Sequence, residues 1–212
     1  MALSSTAQAG GLGSGLVDFE DALAFFGPGE IDVAASGLDT FYAADGMTIS
    51  ASEPLWMGNG VSNGDFGTFR IEGSSGPGFL ALFDGTEVGG TVTFTFDGPV
   101  NFLIDLIITS VLGTQPVECT VTTMLDGSIV DHEVLTLTPI SGDPDGQVFF
   151  RLFSNADTFH FQLSPSSNRV LAFDFIEWTN LSCGLGDINQ DGFLNFGDIS
   201  AFLLEYGAGC NE

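Results

Sequence analysis

The chain has 212 residues, enough for one sizeable domain and a small appendage. It carries no Lys and three Arg (Arg70, Arg151, Arg169) against 28 acidic residues, a net charge of −25. That balance excludes binding to nucleic acid, since nothing here can displace phosphate counterions, and an anionic membrane surface would repel it. The charge suits multivalent cations or a saline medium.

The apolar fraction is 44% and includes 21 Phe. No run reaches the roughly 18 apolar residues that a membrane helix needs. Phe102 to Ile108 comes closest, and Asp105 interrupts it. The aromatics therefore predict a well-filled core.

Residues 1–15 are small and glycine-rich. Ala7-Gln8-Ala9 has the small-residue pattern of a signal-peptidase site without a basic or long apolar stretch before it, so a truncated signal peptide and a flexible start both fit. Gly10 to Gly15 lacks the preceding strand and the following Lys or helix that a nucleotide loop requires. Leu16 to Glu20 reads as a first strand and Glu20 to Phe26 as one short helix.

Met47 to Ala51, Phe66 to Ile71 and Phe79 to Phe83 read as further strands between glycine turns. In Thr91 to Phe96, Val92, Phe94 and Phe96 face one way and three Thr the other. Asp97-Gly98-Pro99 reads as a turn into Val100 to Thr109, apolar on both faces and so central. Val117 to Leu125 and Ser128 to Thr138 form a hairpin about Asp126-Gly127.

Asp143 to Gly146 and Pro165 to Asn168 are turns. They bracket two expected strands, Gln147 to Phe153 and Thr158 to Leu163, and Val170 to Trp178 closes the series. Short strands at regular spacing with 29 Gly predict an all-β fold, an antiparallel jelly-roll-like β-sandwich over 16–181.

The sandwich offers no catalytic constellation. His132 and His160 sit in unrelated contexts, no Ser–His–Asp or metalloprotease pattern occurs, and among 28 acids the candidates Glu53, Glu72, Glu133 and Glu177 do not stand out. Glu53 to Asp65 reads as a loop in which Trp56 is flanked by Asn59, Asn63 and Asp65. An exposed aromatic face beside polar groups is what sugar recognition uses, so these four are candidate ligand-binding residues. A core or lid role is the alternative for Trp56.

Val17-Asp18-Phe19-Glu20 and Phe173-Asp174-Phe175-Ile176-Glu177 resemble the first and last strands of jelly-roll modules of the carbohydrate-binding and galactose-binding-like type. The resemblance implies a structural Ca²⁺ where terminal strands meet, with Glu20, Asp21 and Asp174 as candidate ligands. Solvent-facing strand residues are the plain alternative.

Residues 182–212 differ from the rest. Asp187, Asn189 and Asp191 occupy positions 1, 3 and 5 of a calcium loop. Gly192 supplies the sharp turn, Phe193 a backbone carbonyl at position 7, Asn195 position 9 and Asp198 position 12. Ile199, Phe202, Leu203 and Tyr206 then recur at helical spacing, and Gly207 stops the helix. The loop has an exiting helix but no entering one.

This stretch resembles a dockerin repeat, and Cys183 with the ending Gly209-Cys210 resembles the GC-type dockerin of secreted bacterial proteins. Dockerins that bind cohesins carry two such repeats and this chain carries one. The resemblance therefore implies Ca²⁺ binding and surface attachment or sorting rather than cohesin capture.

A disulfide between Cys183 and Cys210 would stabilise so small a module by roughly 3 kcal/mol. Cys119 is then a buried thiol, or else pairs with Cys183. The whole reads as a secreted or cell-surface calcium-binding protein whose sandwich binds a ligand, polysaccharide before surface protein, without entering a membrane. A structural surface subunit that self-assembles with calcium and a small glycan-active enzyme are the competing readings.

Overall fold

A computed structural model describes residues 14–59, 78–83, 90–108, 116–138, 147–164, 170–180 and 199–200. The calcium loop Asp187 to Asp198, the cysteines Cys183 and Cys210, and the expected strand Phe66 to Ile71 lie outside the described residues. So do Asn63 and Asp65.

Ten strands pair antiparallel into one continuous sheet that doubles back over itself. In chain order they are β1 (Ser14–Val17), β2 (Gly29–Ile31), β3 (Met47–Ala51), β4 (Leu55–Asn59), β5 (Gly78–Phe83), β6 (Thr91–Ile108), β7 (Val117–Leu125), β8 (Ser128–Leu137), β9 (Gln147–Leu163) and β10 (Val170–Asn180). Two short helices, α1 (Glu20–Phe26) and α2 (Val33–Ser36), lie between the first strands.

The doubling rests on β6 and β9, which are 18 and 17 residues long. Their register breaks between Thr95 and Phe102 on β6. Before the break β6 pairs with β3 and with the second half of β9. After it, β6 pairs with β10 and with the first half of β9.

One layer is thus β2-β4-β5-β10-β6-β9 with β1 on β10, and the other is β3-β6-β9-β7-β8. This corrects two sequence expectations. Asp97 to Pro99 does not reverse the chain, and 147–153 and 158–163 are one strand. Proline lacks the N–H that a ladder needs, and Asn155 has φ of 56°. Both bend the strands without ending them.

Alternating side chains of the two layers meet between them. Phe102 stacks on Phe159 with centroids 4.4 Å apart, Phe94 and Phe161 each meet Phe173 edge-on, and Phe96 packs on Trp178. All of these rings are buried. Trp178 covers Gly15 so closely that a Cβ there would collide with the indole.

Cys119 is a free, buried thiol, and burial pushes its pKa up to about 12, so it is inert. Replacing Phe102 by Ala opens the centre of this core and is expected to cost about 3–5 kcal/mol. Denaturant unfolding followed by fluorescence checks this, and a loss below about 1 kcal/mol would mean that the rings do not hold the layers together.

Candidate ligand-binding site

The outer face of the first layer carries an unbroken cross-strand row. Register places Glu30 opposite Trp56, Trp56 opposite Ala81, Ala81 opposite Ala172, Ala172 opposite Ile107 and Ile107 opposite Val148. Opposed residues of an antiparallel pair point to the same side. Ala81, Ile107, Val170, Ala172 and Phe79 form a second, smaller apolar cluster, against which Trp56 packs half-buried.

Trp56 is therefore on a strand, not in the loop that the sequence suggests. The reason is local: Leu55 and Met57 alternate with it and insert into the main core. Asn59 ends the same strand.

Glu30 is exposed, and its side chain makes no hydrogen bond or ion pair with any described residue. It also lines a cavity of ≈ 360 Å³ with Phe26, Gly27, Pro28, Gly29, Ile31, Asp32, Ala35 and Ser36. That volume is within the range of small-ligand sites. Asp32 caps α2, one carboxylate oxygen accepting from the Ala35 N–H at 2.9 Å.

A ridge of aromatic rings adjoins the cavity. Phe25 is 73% exposed. Its ring lies 4.8 Å from Phe26 and 5.5 Å from Phe41, and Phe41 lies 5.0 Å from Tyr42. Tyr42 anchors the ridge. It is buried and donates to Asp21 Oδ1 at 2.7 Å, and burial, reinforced by that bond, raises its pKa. Sequence reasoning missed Phe25, Phe26, Phe41 and Glu30. The available signal was two adjacent Phe on a short helix, one of which cannot face the core.

A second cavity of ≈ 210 Å³ shares Asp32 and adds Asp39, Ser50, Ser52 and Glu53 to its lining. Four carboxylates thus border two adjoining cavities, and among the described residues no basic one lines either.

The candidate metal set Glu20, Asp21 and Asp174 is not brought together. Glu20 Oε1 accepts the Gly78 N–H at 2.7 Å. Asp21 holds Tyr42 and the Ala22 N–H. Asp174 lies in the middle of the first layer, with Oδ1 accepting the Phe175 N–H at 2.7 Å. Among the described residues no three His, Cys, Asp or Glu group as metal ligands.

Asp174 instead faces Asp105 directly across β10 and β6. Both are buried, at 0% and 2% exposure. Phe175 takes φ of 40° at a bulge beside the pair. Burial lifts the Asp105 carboxyl from its usual 3.8 to about 6. Two facing carboxylates with one raised pKa are what a glycosidase uses, but carboxylates sealed to this degree do not touch a substrate.

The histidines lie on the outer face of the second layer, His160 opposite Thr122 and Thr122 opposite His132. His160 Nδ1 pairs with Thr93 Oγ1 at 2.8 Å, and burial lowers its pKa.

No family model and no curated protein matches the chain. Among solved structures it is similar to the K1 cleaved adhesin domain of Lys-gingipain from Porphyromonas gingivalis W83, at 12% identity over 78% of this chain and 96% of that one, with a TM-score of 0.47. A family 11 carbohydrate-binding module from Clostridium thermocellum superposes at 12% identity over 80% and 96% of the two chains, TM-score 0.37. A family 35 carbohydrate-binding module from an environmental isolate does so at 16% over 63% and 93%, TM-score 0.36. Superpositions at this level assign no function to the chain. Among the described residues no helix is long and apolar enough to cross a membrane.

Asp105 supplies a test of the sealed pair. Its folded-state pKa is raised, so the folded chain holds the proton more tightly than the unfolded one. That favours folding at low pH and is lost as pH rises from about 4 through 6. The span corresponds to roughly 3 kcal/mol. Asp105→Asn should therefore gain stability relative to wild type across that window and hold a constant difference above it. Urea melts at several pH values measure this, and a difference that does not vary with pH would show that Asp105 is not sealed.

Proposed function

We propose that the sandwich is a non-catalytic binding module for carbohydrate. The site is the surface running from Trp56 through Glu30 and the larger cavity to Phe26, Phe25 and Phe41. The observation that carries this reading is the cavity itself, whose lining joins the Phe26 ring, beside the exposed Phe25, to the carboxylates of Glu30 and Asp32. Sugars present C–H faces that stack on aromatic rings and hydroxyls that donate to carboxylates. A rigid aromatic ridge anchored by Tyr42 supplies the first, and Glu30 and Asp32 supply the second.

The C-terminal dockerin-like segment is proposed to bind Ca²⁺ through Asp187, Asn189, Asp191, the Phe193 carbonyl, Asn195 and Asp198, and to attach or sort a secreted protein. Support for this half is the spacing of the ligands in the sequence.

A second reading is a structural surface subunit. The observation that favours it is β8, which pairs only with β7 among the described residues and exposes Ile129, Val130 and Val134. An edge of this kind invites strand addition.

A glycan array run with and without calcium separates the readings. Binding that falls at least about tenfold in Phe25→Ala and Trp56→Ala, with the fold intact by circular dichroism, is expected. If no glycan binds while the protein polymerises on adding calcium, the carbohydrate reading is lost. For the module, calorimetry of the double variant Asp187→Ala, Asp191→Ala should show one Ca²⁺ fewer than wild type. Unchanged stoichiometry would rule out the loop.

A further inference from the structure

We infer that the first half of β9, Gln147 to Phe153, is an interface at which a second copy of this chain adds its own β9, antiparallel, and so continues the first layer. The inference stands apart from the carbohydrate reading. This half of β9 ends the first layer. It pairs with β6, β7 pairs only with the Thr158 to Leu163 half, and among the described residues no strand lies along its other side.

The composition is that of an inner strand. Phe149 and Phe153 pack with the main core, and Val148 packs on the smaller outer cluster, so both faces are apolar. Yet Phe150 is 62% and Leu152 66% exposed. Strands apolar on both faces are ordinarily covered on both, and an open apolar edge is a template for another strand.

Charge selects the occupant. The seven residues carry no acid and one cation, Arg151, in a chain of net charge −25. Two such chains repel over most of their surface, and an acid-free edge is where they can meet. The edge strand β8 carries Asp131 and Glu133, and two copies joined there would bring acids together.

Parity then sets the register. A two-fold axis normal to the sheet pairs outer residues with outer ones only where it passes through a residue. Phe150 is the middle of the seven, so an axis there pairs them all. Phe150 meets Phe150, and Val148 meets Leu152 of the second copy, on the outer face. Arg151 meets Phe149 of the second copy on the inner one, a cation over a ring. An axis at Arg151 would instead oppose two guanidinium groups. In the single chain the Arg151 guanidinium donates to the Phe150 carbonyl at 3.1 Å, a bond it gives up when the strand adds. A seven-residue edge is smaller than the roughly 800 Å² per partner of a standard interface, so the dimer is weak and reversible.

Sedimentation equilibrium of the full chain, from micromolar to millimolar concentration, tests this. A monomer–dimer equilibrium is expected. It should tighten near 1 M salt, where the Debye length is about 3 Å and repulsion between copies is screened. Phe150→Glu sets two like charges on the axis and should weaken the dimer at least about tenfold. Phe150 is exposed, so this variant should keep the wild-type circular dichroism. Under mild oxidation Phe150→Cys should give a covalent dimer that wild type does not, since directly opposed residues have Cα atoms about 4.5–5.5 Å apart, within disulfide reach. Leu152→Cys should not, because its counterpart lies four residues along the partner strand.

A monomer at every concentration overturns the inference and leaves the edge to a strand of another protein. A dimer indifferent to Phe150→Glu, or one cross-linked as readily by Leu152→Cys, overturns it too. A dimer lost in Ile129→Glu but not in Phe150→Glu moves the contact to β8.

Discussion

The stacking of Phe102 on Phe159 joins the two layers at the point where their shared strands turn the corner. Because β6 and β9 run through both layers side by side, the layers cannot slide or separate without breaking pairing in both. The bend must fall where a ladder tolerates interruption, and Pro99 and Asn155 mark it. On either side, alternate residues point inward and are nearly all aromatic or aliphatic. The interior is thus filled by rings from both halves of the same two strands, and aromatic pairs of this kind add about 0.5–1.5 kcal/mol each beyond their buried area.

That arrangement dictates where the charge goes. With the interior committed to hydrocarbon, acids are left to outer faces, edges and connections. Asp105 and Asp174 also lie on the outer side of the first layer, beside Ile107 and Ala172, and are nevertheless buried. A carboxylate so placed stays neutral more readily, which is the cause of the raised Asp105 pKa. The second layer's outer face solves the same problem with hydroxyls. Thr93 and Thr122 hold the two histidine rings by hydrogen bonds.

Much of this was legible from period alone. The strand at 47–51, the hairpin about Asp126-Gly127 and the helix from Glu20 to Phe26 all follow from local pattern, and the structure repeats them. The continuity of β6 was not legible, because Asp97-Gly98-Pro99 has the composition of a reversing turn. Only the partner strand, bending at the same level, shows that it is a corner. Trp56 was given a loop, since flanking glycines and amides mask the alternation of Leu55 and Met57. Asp174 was attached to Glu20 and Asp21 because terminal strands were expected to meet there. Its real neighbour, Asp105, is 69 positions away by their numbering and is found only through register.

Acidic residues are distributed in two different ways along this chain. Between Asp187 and Asp198 they stand close in sequence, with Asp187, Asn189 and Asp191 before Gly192 and Asn195 and Asp198 after it. Glu30, Asp32, Asp39 and Glu53 come from separate stretches of the fold and border two cavities, one of which Phe26 also lines. Charge dispersed in this way creates a field that extends about 8 Å at physiological salt. Composition alone, with its excess of acids, cannot distinguish these two arrangements. Spacing along the chain displays the first, and only the fold displays the second.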